Sequence, residues 1–310
     1  MALVTGGAGF IGSHLVERLL AANRRVRVLD DLSTGHRDNV PDGVELVEAS
    51  IEDESAIRAA IDGCDGVHHL AAEVSVPRTM EDPARAFAVN LTGSEKIFRI
   101  AGEAGVRSVV FASSAAVYGP TPSLPSRETD SIDCASPYAA HKAAGELLLQ
   151  SYARRYGFHA ASLRFFNVFG PRQDPSSAYA AVISAFMDAA TAGRRPIVFG
   201  DGTQTRDFVP VANVVQALHL ASDPSRDLAG DAFNVGLGER RSLLDLLKTL
   251  SEVAGVDLAP EFRAPRAGDV PHSCAAIDRA REDLGYAPEV AFEEGLRLTF
   301  EWAQSVASRT

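Results

Sequence analysis

A chain of 310 residues has room for one large α/β unit or two lobes around a sizeable core, and 46% hydrophobic with 23% charged residues is ordinary globular composition. Its formal net charge of -11 excludes a general nucleic-acid or anionic-membrane surface, so an anionic ligand has to be met by a few placed arginines and backbone amides. Cys64, Cys134 and Cys274 are far apart with no Cys-x-x-Cys, which excludes a disulfide frame and a zinc site. With no signal peptide or bilayer-length apolar run in view, a cytoplasmic protein is expected.

The first apolar run, Ala2-Leu3-Val4-Thr5, predicts a strand, and residues 13–20 predict an amphipathic helix. Between them stands Gly6-Gly7-Ala8-Gly9-Phe10-Ile11-Gly12. Strand, glycine turn and helix in that order are the context of a dinucleotide-binding turn. Glycines let the backbone approach a pyrophosphate that rests on the free N–H groups of the helix start. The spacing is Gly6, Gly9, Gly12, and Phe10 and Ile11 join the cofactor-facing set. A second strand is predicted over 25–29, with Asp30 at its end, placed to accept hydrogen bonds from ribose hydroxyls. The same carboxylate would repel a 2′-phosphate, so NAD is favoured over NADP; Arg37 is the nearest counter-argument.

Further strands are predicted over 44–48 and 66–70 around a helix at 54–61, and Ala71-Ala72 offers small side chains beside a cofactor. Residues 83–103 read as one long helix carrying Asn90. The run Ser108-Val109-Val110-Phe111-Ala112 reads as a buried strand. Alternating strands and helices predict a doubly wound parallel sheet, whose ligands gather at the carboxyl ends of the strands. Pro137 suits a helix start, and on the alanine-rich helix that follows Tyr138 and Lys142 share one face. An ammonium beside a phenol favours the phenolate, so the Tyr138 pKa is expected to fall toward neutrality. Later helices are predicted over 179–192, 211–221, 243–254 and 292–302, with a short strand at 196–199.

Several motifs stand together: the glycine turn, Asp30-Asp31-Leu32-Ser33-Thr34-Gly35, Ser113-Ser114-Ala115-Ala116-Val117-Tyr118-Gly119, and Tyr138-x-x-x-Lys142. Arg164 to Asp174, Gly200 to Phe208 and Arg266-Ala267-Gly268-Asp269-Val270 complete the set. With them the chain resembles the extended short-chain dehydrogenase/reductase family and, within it, the nucleotide-diphosphate-sugar 4-epimerases of the UDP-glucose type.

The resemblance implies a Rossmann unit over 1–167 and a smaller C-terminal substrate lobe over 168–310, with the chain returning to the first unit around 205–222. It makes Tyr138 the acid/base at the sugar 4-hydroxyl, Lys142 its electrostatic partner and a ribose ligand, and Ser114 a donor to the same oxygen. It gives Asp30, Asp31, Ser33, Thr34, Gly35, Ser50, Ile51, Leu70, Ala71 and Ala72 to the cofactor. It gives Ser75, Arg78, Asn167, Arg206, Arg266, Asp269 and Ser273 to the UDP-sugar, with Arg206 and Arg266 clamping its pyrophosphate. Ala115 and Ala116 replace the acidic pair of the sugar dehydratases, which excludes that chemistry. Two departures stand out. Ala49-Ser50-Ile51 replaces a Gly-Asp-Ile that holds adenine, and the small Ser273, with Arg172-Gln173-Asp174-Pro175, resembles enzymes that accept N-acetylated sugars. The expected reaction is NAD-dependent 4-epimerisation of a UDP-hexose through a 4-keto sugar. UDP-glucuronate 4-epimerisation or decarboxylation is the rival on the same fold, and a non-catalytic NAD-binding sensor the rival of another class. By analogy, helices 83–103 and 138–156 pair in a homodimer.

Overall fold

The computed structural model describes residues 1–119, 124–174, 182–226, 228–265 and 270–308. Its strands are β1 (Ala2–Thr5), β2 (Val26–Asp30), β3 (Glu45–Glu48), β4 (Gly66–His69), β5 (Ser108–Ser114), β6 (His159–Phe165), β7 (Asn167–Phe169), β8 (Ile197–Phe199), β9 (Thr205–Arg206), β10 (Phe208–Pro210), β11 (Asp231–Val235), β12 (Arg241–Ser242) and β13 (Glu261–Arg263). The helices are α1 (Phe10–Ala21), α2 (Glu54–Ile61), α3 (Val76–Glu81), α4 (Pro83–Phe87), α5 (Ser94–Glu103), α6 (Pro137–Tyr156), α7 (Val182–Thr191), α8 (Val211–Ala221), α9 (Leu243–Ala254), α10 (Asp278–Leu284) and α11 (Phe292–Ala307).

Seven strands form the large sheet in the order β11-β6-β5-β4-β1-β2-β3, every neighbour pair parallel. The order reverses between β1 and β4, which opens a crevice at their carboxyl ends. β1 is apolar on both faces because both faces are covered, as a parallel sheet between helices requires. One core packs β1, β5 and β6 against α1 and α8, and the other packs the opposite face against α2, α5 and α6. A third cluster joins β7, α7, α9 and α11, where the Phe292 ring meets Phe169 at 5.8 Å and Phe208 at 5.9 Å. Helix α8 packs back on α1 and β6, so chain from beyond residue 205 fills one face of the large sheet.

The structure departs from the sequence reading at several points. Residues 83–103 are helical throughout but not uniform: residues 88–93 wind as a π-turn between α4 and α5, and Asn90 in it is 2% exposed. Asp30 and Ser114 are the last residues of their strands, and the final helix reaches Ala307. Strands β6 and β11 were not expected at all. The predicted start of a helix at 179 lies outside the described residues, within which α7 begins at Val182. Among the described residues no helix is long and apolar enough to cross a membrane, and no group of three metal-ligating side chains is found.

Candidate active site

The glycine turn is closed to any side chain. A Cβ on Gly12 would stand 2.0 Å from the Gly6 carbonyl oxygen, one on Gly7 2.7 Å from Val28, and Gly6 itself has φ +70°. Helix α1 then starts at Gly9 with no side-chain cap and no acidic residue in its first turn, which leaves its first N–H groups for an incoming anion. Phe10 and Ile11 occupy that first turn. A backbone cradle, an uncapped helix start and an acidic strand end are what a dinucleotide pyrophosphate and ribose require, so these residues fit the group.

Asp30 is 7% exposed and organises the turn: one carboxylate oxygen accepts from Ala8 N and the other from Leu32 N, both at 2.9 Å. Burial pushes its pKa up, and these two amides pull it back. Asp31 accepts from both the amide and the hydroxyl of Ser33 (3.0 and 2.6 Å), and Gly35 packs between Ala8 and Asp30. Thr34 is exposed beside them. Arg37 is paired with Glu48. Ser50 caps its own turn by accepting from Glu52 N, whereas Ile51 is buried in the core against Gly93. The Leu70 and Ala71 amides both donate to the Thr5 hydroxyl oxygen, 3.2 Å each, and Ala71 N stands 2.8 Å from where a Gly6 side chain would be. Ala72 follows, partly buried. This stretch is fixed by groups to which the sequence reading assigns no role. Asn90 accepts from Glu73 N at 2.7 Å and donates to Glu73 O at 2.9 Å, and His69 bridges Thr5 (2.7 Å) and Ser94 (2.9 Å).

Helix α6 is started by Ser136, whose hydroxyl accepts from Ala139 N at 3.2 Å, with Pro137 in its first turn. It lies close on β5 because Gly145 has no side chain; a Cβ there would be 2.7 Å from the Phe111 ring. That approach carries Tyr138 to the end of β5, where it interacts with the Ser114 hydroxyl. Lys142 is 4% exposed, donates to Ala112 O at 2.7 Å, and holds its ammonium 4.8 Å from the Phe111 ring centroid and 5.8 Å from that of Tyr138.

The expected lowering of the Tyr138 pKa is not what this arrangement gives. Burial pushes the phenol up, and the Ser114 contact only partly opposes it. The reason lies in Lys142, which spends a donor on the Ala112 carbonyl and is itself pushed down to about 8 by desolvation, with Glu146 opposing. His141, three residues after Tyr138, meets the Phe87 ring edge-on at 5.8 Å, and its buried Nδ1 has no hydrogen-bond partner.

The substrate candidates fall into two groups. Asn167 opens β7 directly after β6, whose Phe165 pairs with Ser114. Its side-chain amide donates to Ser273 Oγ and to Asp207 O, 3.3 Å each. Arg206 bends back to Thr205 O and Pro271 O, beside the bond from Ser273 N to Thr205 O. Asn167, Arg206 and Ser273 are therefore brought together. Ser75 instead caps α3, accepting from Arg78 N at 3.3 Å, while Arg78 faces Glu73 at 3.6 Å on an exposed surface next to α6. Arg172 reaches Glu17 and His14 of α1. Arg266 and Asp269 lie outside the described residues.

Residues 2–236 match the NAD dependent epimerase/dehydratase family. The chain belongs to that family. It is 42% identical to the UDP-glucose 4-epimerase of Mycolicibacterium smegmatis over 97% of each chain. Among solved structures it resembles the UDP-glucose 4-epimerase of Thermotoga maritima with UDP-glucose, at TM-score 0.93 and 38% identity over 99% of both chains. It resembles equally the UDP-N-acetylglucosamine 4-epimerase of Methanobrevibacter ruminantium in complex with UDP-N-acetylmuramic acid, at TM-score 0.93 and 36% identity over 100% of this chain and 98% of the other.

Behind the Ser114–Tyr138 pair, this member of the epimerase/dehydratase family holds a buried polar network. Glu146, one turn beyond Lys142, accepts two bonds from Arg164 (2.9 and 2.7 Å) and one from Ser113 Oγ at 2.5 Å. Arg164 donates on to Tyr118 (2.9 Å), which donates to Asn234 (2.6 Å). Asp207 is fully buried, accepts three backbone amides from Leu237, Gly238 and Ala275, and is pushed up to about 6 by burial. Arg164 and Asp207 lay inside motifs already noted, but nothing local marks a charged residue as buried.

Lys142 gives a pH test. A base lowered from 10.5 to about 8 on folding binds fewer protons folded than unfolded between those values, so its desolvation cost is complete below about pH 8 and stability rises across that window. Urea unfolding of the parent and of Lys142→Met at several pH values is expected to show this rise in the parent and its loss in the variant. Parallel pH curves for the two proteins would count against a buried ammonium.

Proposed function

We propose that the chain is an NAD-dependent UDP-hexose 4-epimerase. The observation that carries this is the meeting of Ser114 and Tyr138 at the carboxyl edge of the sheet, with Lys142 beneath them and the glycine turn two strands away. The glycine turn, Asp30, the 70–72 stretch and Lys142 would hold NAD, which when bound supplies a reversible hydride acceptor for C4 of the sugar. The residues of the chain handle the proton. Tyr138, as the phenolate that a bound nicotinamide cation would favour, takes it from the 4-hydroxyl and returns it to the same oxygen, the configuration changing at C4 alone, while Ser114 donates a hydrogen bond to that oxygen. Asn167, Arg206 and Arg266 hold the sugar nucleotide by its pyrophosphate. Ala115 and Ala116 offer no acid to eliminate water, and the engagement of Arg37 by Glu48 supports NAD over NADP.

A second reading, activity on the N-acetylated pair, is favoured by the small Ser273 beside Asn167. Residues 1–167, rejoined by α8 and β11, would hold the cofactor, and the rest of 168–310 would hold the sugar nucleotide. Exposed Phe87 and Leu147, on the packed helices α4 and α6, fit pairing of two copies there, and three unpaired cysteines fit a reducing cytoplasm. The deciding experiment supplies UDP-glucose, UDP-N-acetylglucosamine and UDP-glucuronate separately and resolves products by chromatography. Interconversion of UDP-glucose and UDP-galactose without net NADH is expected. Turnover of the glucuronate alone, or of no sugar nucleotide, would overturn the reading.

A further inference from the structure

At the opposite edge of the large sheet, where strands begin, Ala2, Gly66 and Ser108 border a cavity of about 300 Å³ roofed by the end of α8. Three guanidinium groups reach it from three places: Arg24 after α1, Arg107 before β5, and Arg226 after α8. Among the described residues that line the cavity, two carboxylates face them. Asp65 accepts from Arg107 (2.8 Å), the Met1 ammonium (3.1 Å) and Arg24 (2.5 Å), which against its partial burial hold it down at about 2, and Asp223 lies 3.9 Å from Arg226 Nε, beyond hydrogen-bond reach. In a chain of net charge -11, this is a local excess of positive charge.

The cavity also gathers unmet polar atoms. Of the residues lining it, His68 Nδ1, His219 Nδ1, Ser108 Oγ and Arg226 Nε are buried without a hydrogen-bond partner. His68 is 2% exposed and Ser108 4%. A buried polar atom without a partner is costly, and four around one space call for an occupant with several acceptors. A half-turn of an imidazole ring, or a rotation of the Ser108 hydroxyl, would re-aim its donor. His68 is pushed down to about 3, by burial first and then by His219 and Arg24, consistent with positive potential there.

We propose that this cavity binds a small phosphate-bearing anion, either inorganic phosphate or a sugar phosphomonoester, at a site separate from the carboxyl edge. Guanidinium groups converging from three elements match the several oxygens of a tetrahedral anion, and the histidines and Ser108 add neutral donors. The volume exceeds what a phosphate group alone fills and leaves room for a short organic portion.

The test uses the full chain and two probes, inorganic phosphate and glucose 1-phosphate. Each is titrated by calorimetry and by following the ring resonances of His68 and His219. Saturable shifts of both rings are expected, with affinity weakened about tenfold or more in an Arg107→Gln, Arg226→Gln double variant. Tighter binding of glucose 1-phosphate would assign the site to a metabolite; equal or tighter binding of inorganic phosphate would assign it to the free ion. The ring resonances need no substitution, so the proposal stays open to refutation if the variant misfolds. Unmoved His68 and His219 resonances with both probes, or an unchanged affinity in a folded variant, would overturn it and leave the cavity to water alone.

Discussion

Replacing Tyr138 by phenylalanine is expected to lower the epimerisation rate by about 10²-fold or more, the scale on which a positioned acid/base acts. The ring packs in the same place at the start of α6, and what is lost is one hydroxyl and its contact with Ser114. Binding of the sugar nucleotide, which on the proposed reading Asn167 and the arginines would hold, is expected to persist, so the effect falls on kcat and little on KM. The measurement is steady-state turnover with UDP-galactose beside a direct binding titration. A variant that turns over near the parent rate would remove Tyr138 from the chemistry.

Glu146→Ala is the second large effect, and it falls on stability. Arg164 is 4% exposed and Glu146 7%, so deleting the carboxylate strands a guanidinium inside the sheet–helix interface and leaves Ser113 without its acceptor. Breaking such a buried pair from one side costs about 3–5 kcal/mol. Replacing both partners, as Glu146→Leu with Arg164→Met, is expected to recover much of that loss, because no uncompensated charge remains. Urea denaturation of the parent, the single variant and the double variant decides it. A single variant within about 1 kcal/mol of the parent, the range of an exposed ion pair, would mean that the pair is not desolvated.

The parts of the site that could be read from the sequence are those written in neighbouring residues. Gly6, Gly9 and Gly12, then Asp30, then Tyr138 and Lys142 carry their meaning in spacing, and the structure gathers the elements bearing them at one edge of one sheet. Strand β6 hid because His159-Ala-Ala-Ser-Leu-Arg-Phe has few β-branched residues and ends near a charge. Its place between β5 and β11, together with Arg164's partners, makes it a strand. Asn90 hid for the same kind of reason. Its task, clamping Glu73, exists only after the π-turn directs it inward. The Tyr138 expectation failed on a point no spacing shows: sharing a face with Lys142 does not say that the ammonium is aimed at the Ala112 carbonyl.

The threading of β11 and α8 through the large sheet has a consequence for how the polypeptide is made. Ribosomes deliver the amino terminus first, and units that are complete in sequence can settle as they emerge. Here β6 has β5 beside it by residue 165, but its other neighbour is supplied only by Asp231–Val235, and α8 covers α1 only after Ala221. Until then β6 presents an unpaired edge and one apolar face has no roof. The nascent protein must therefore wait for more than two thirds of its 310 residues before its larger core can close, so a premature stop near residue 200 should yield an aggregating fragment instead of a smaller nucleotide-binding protein.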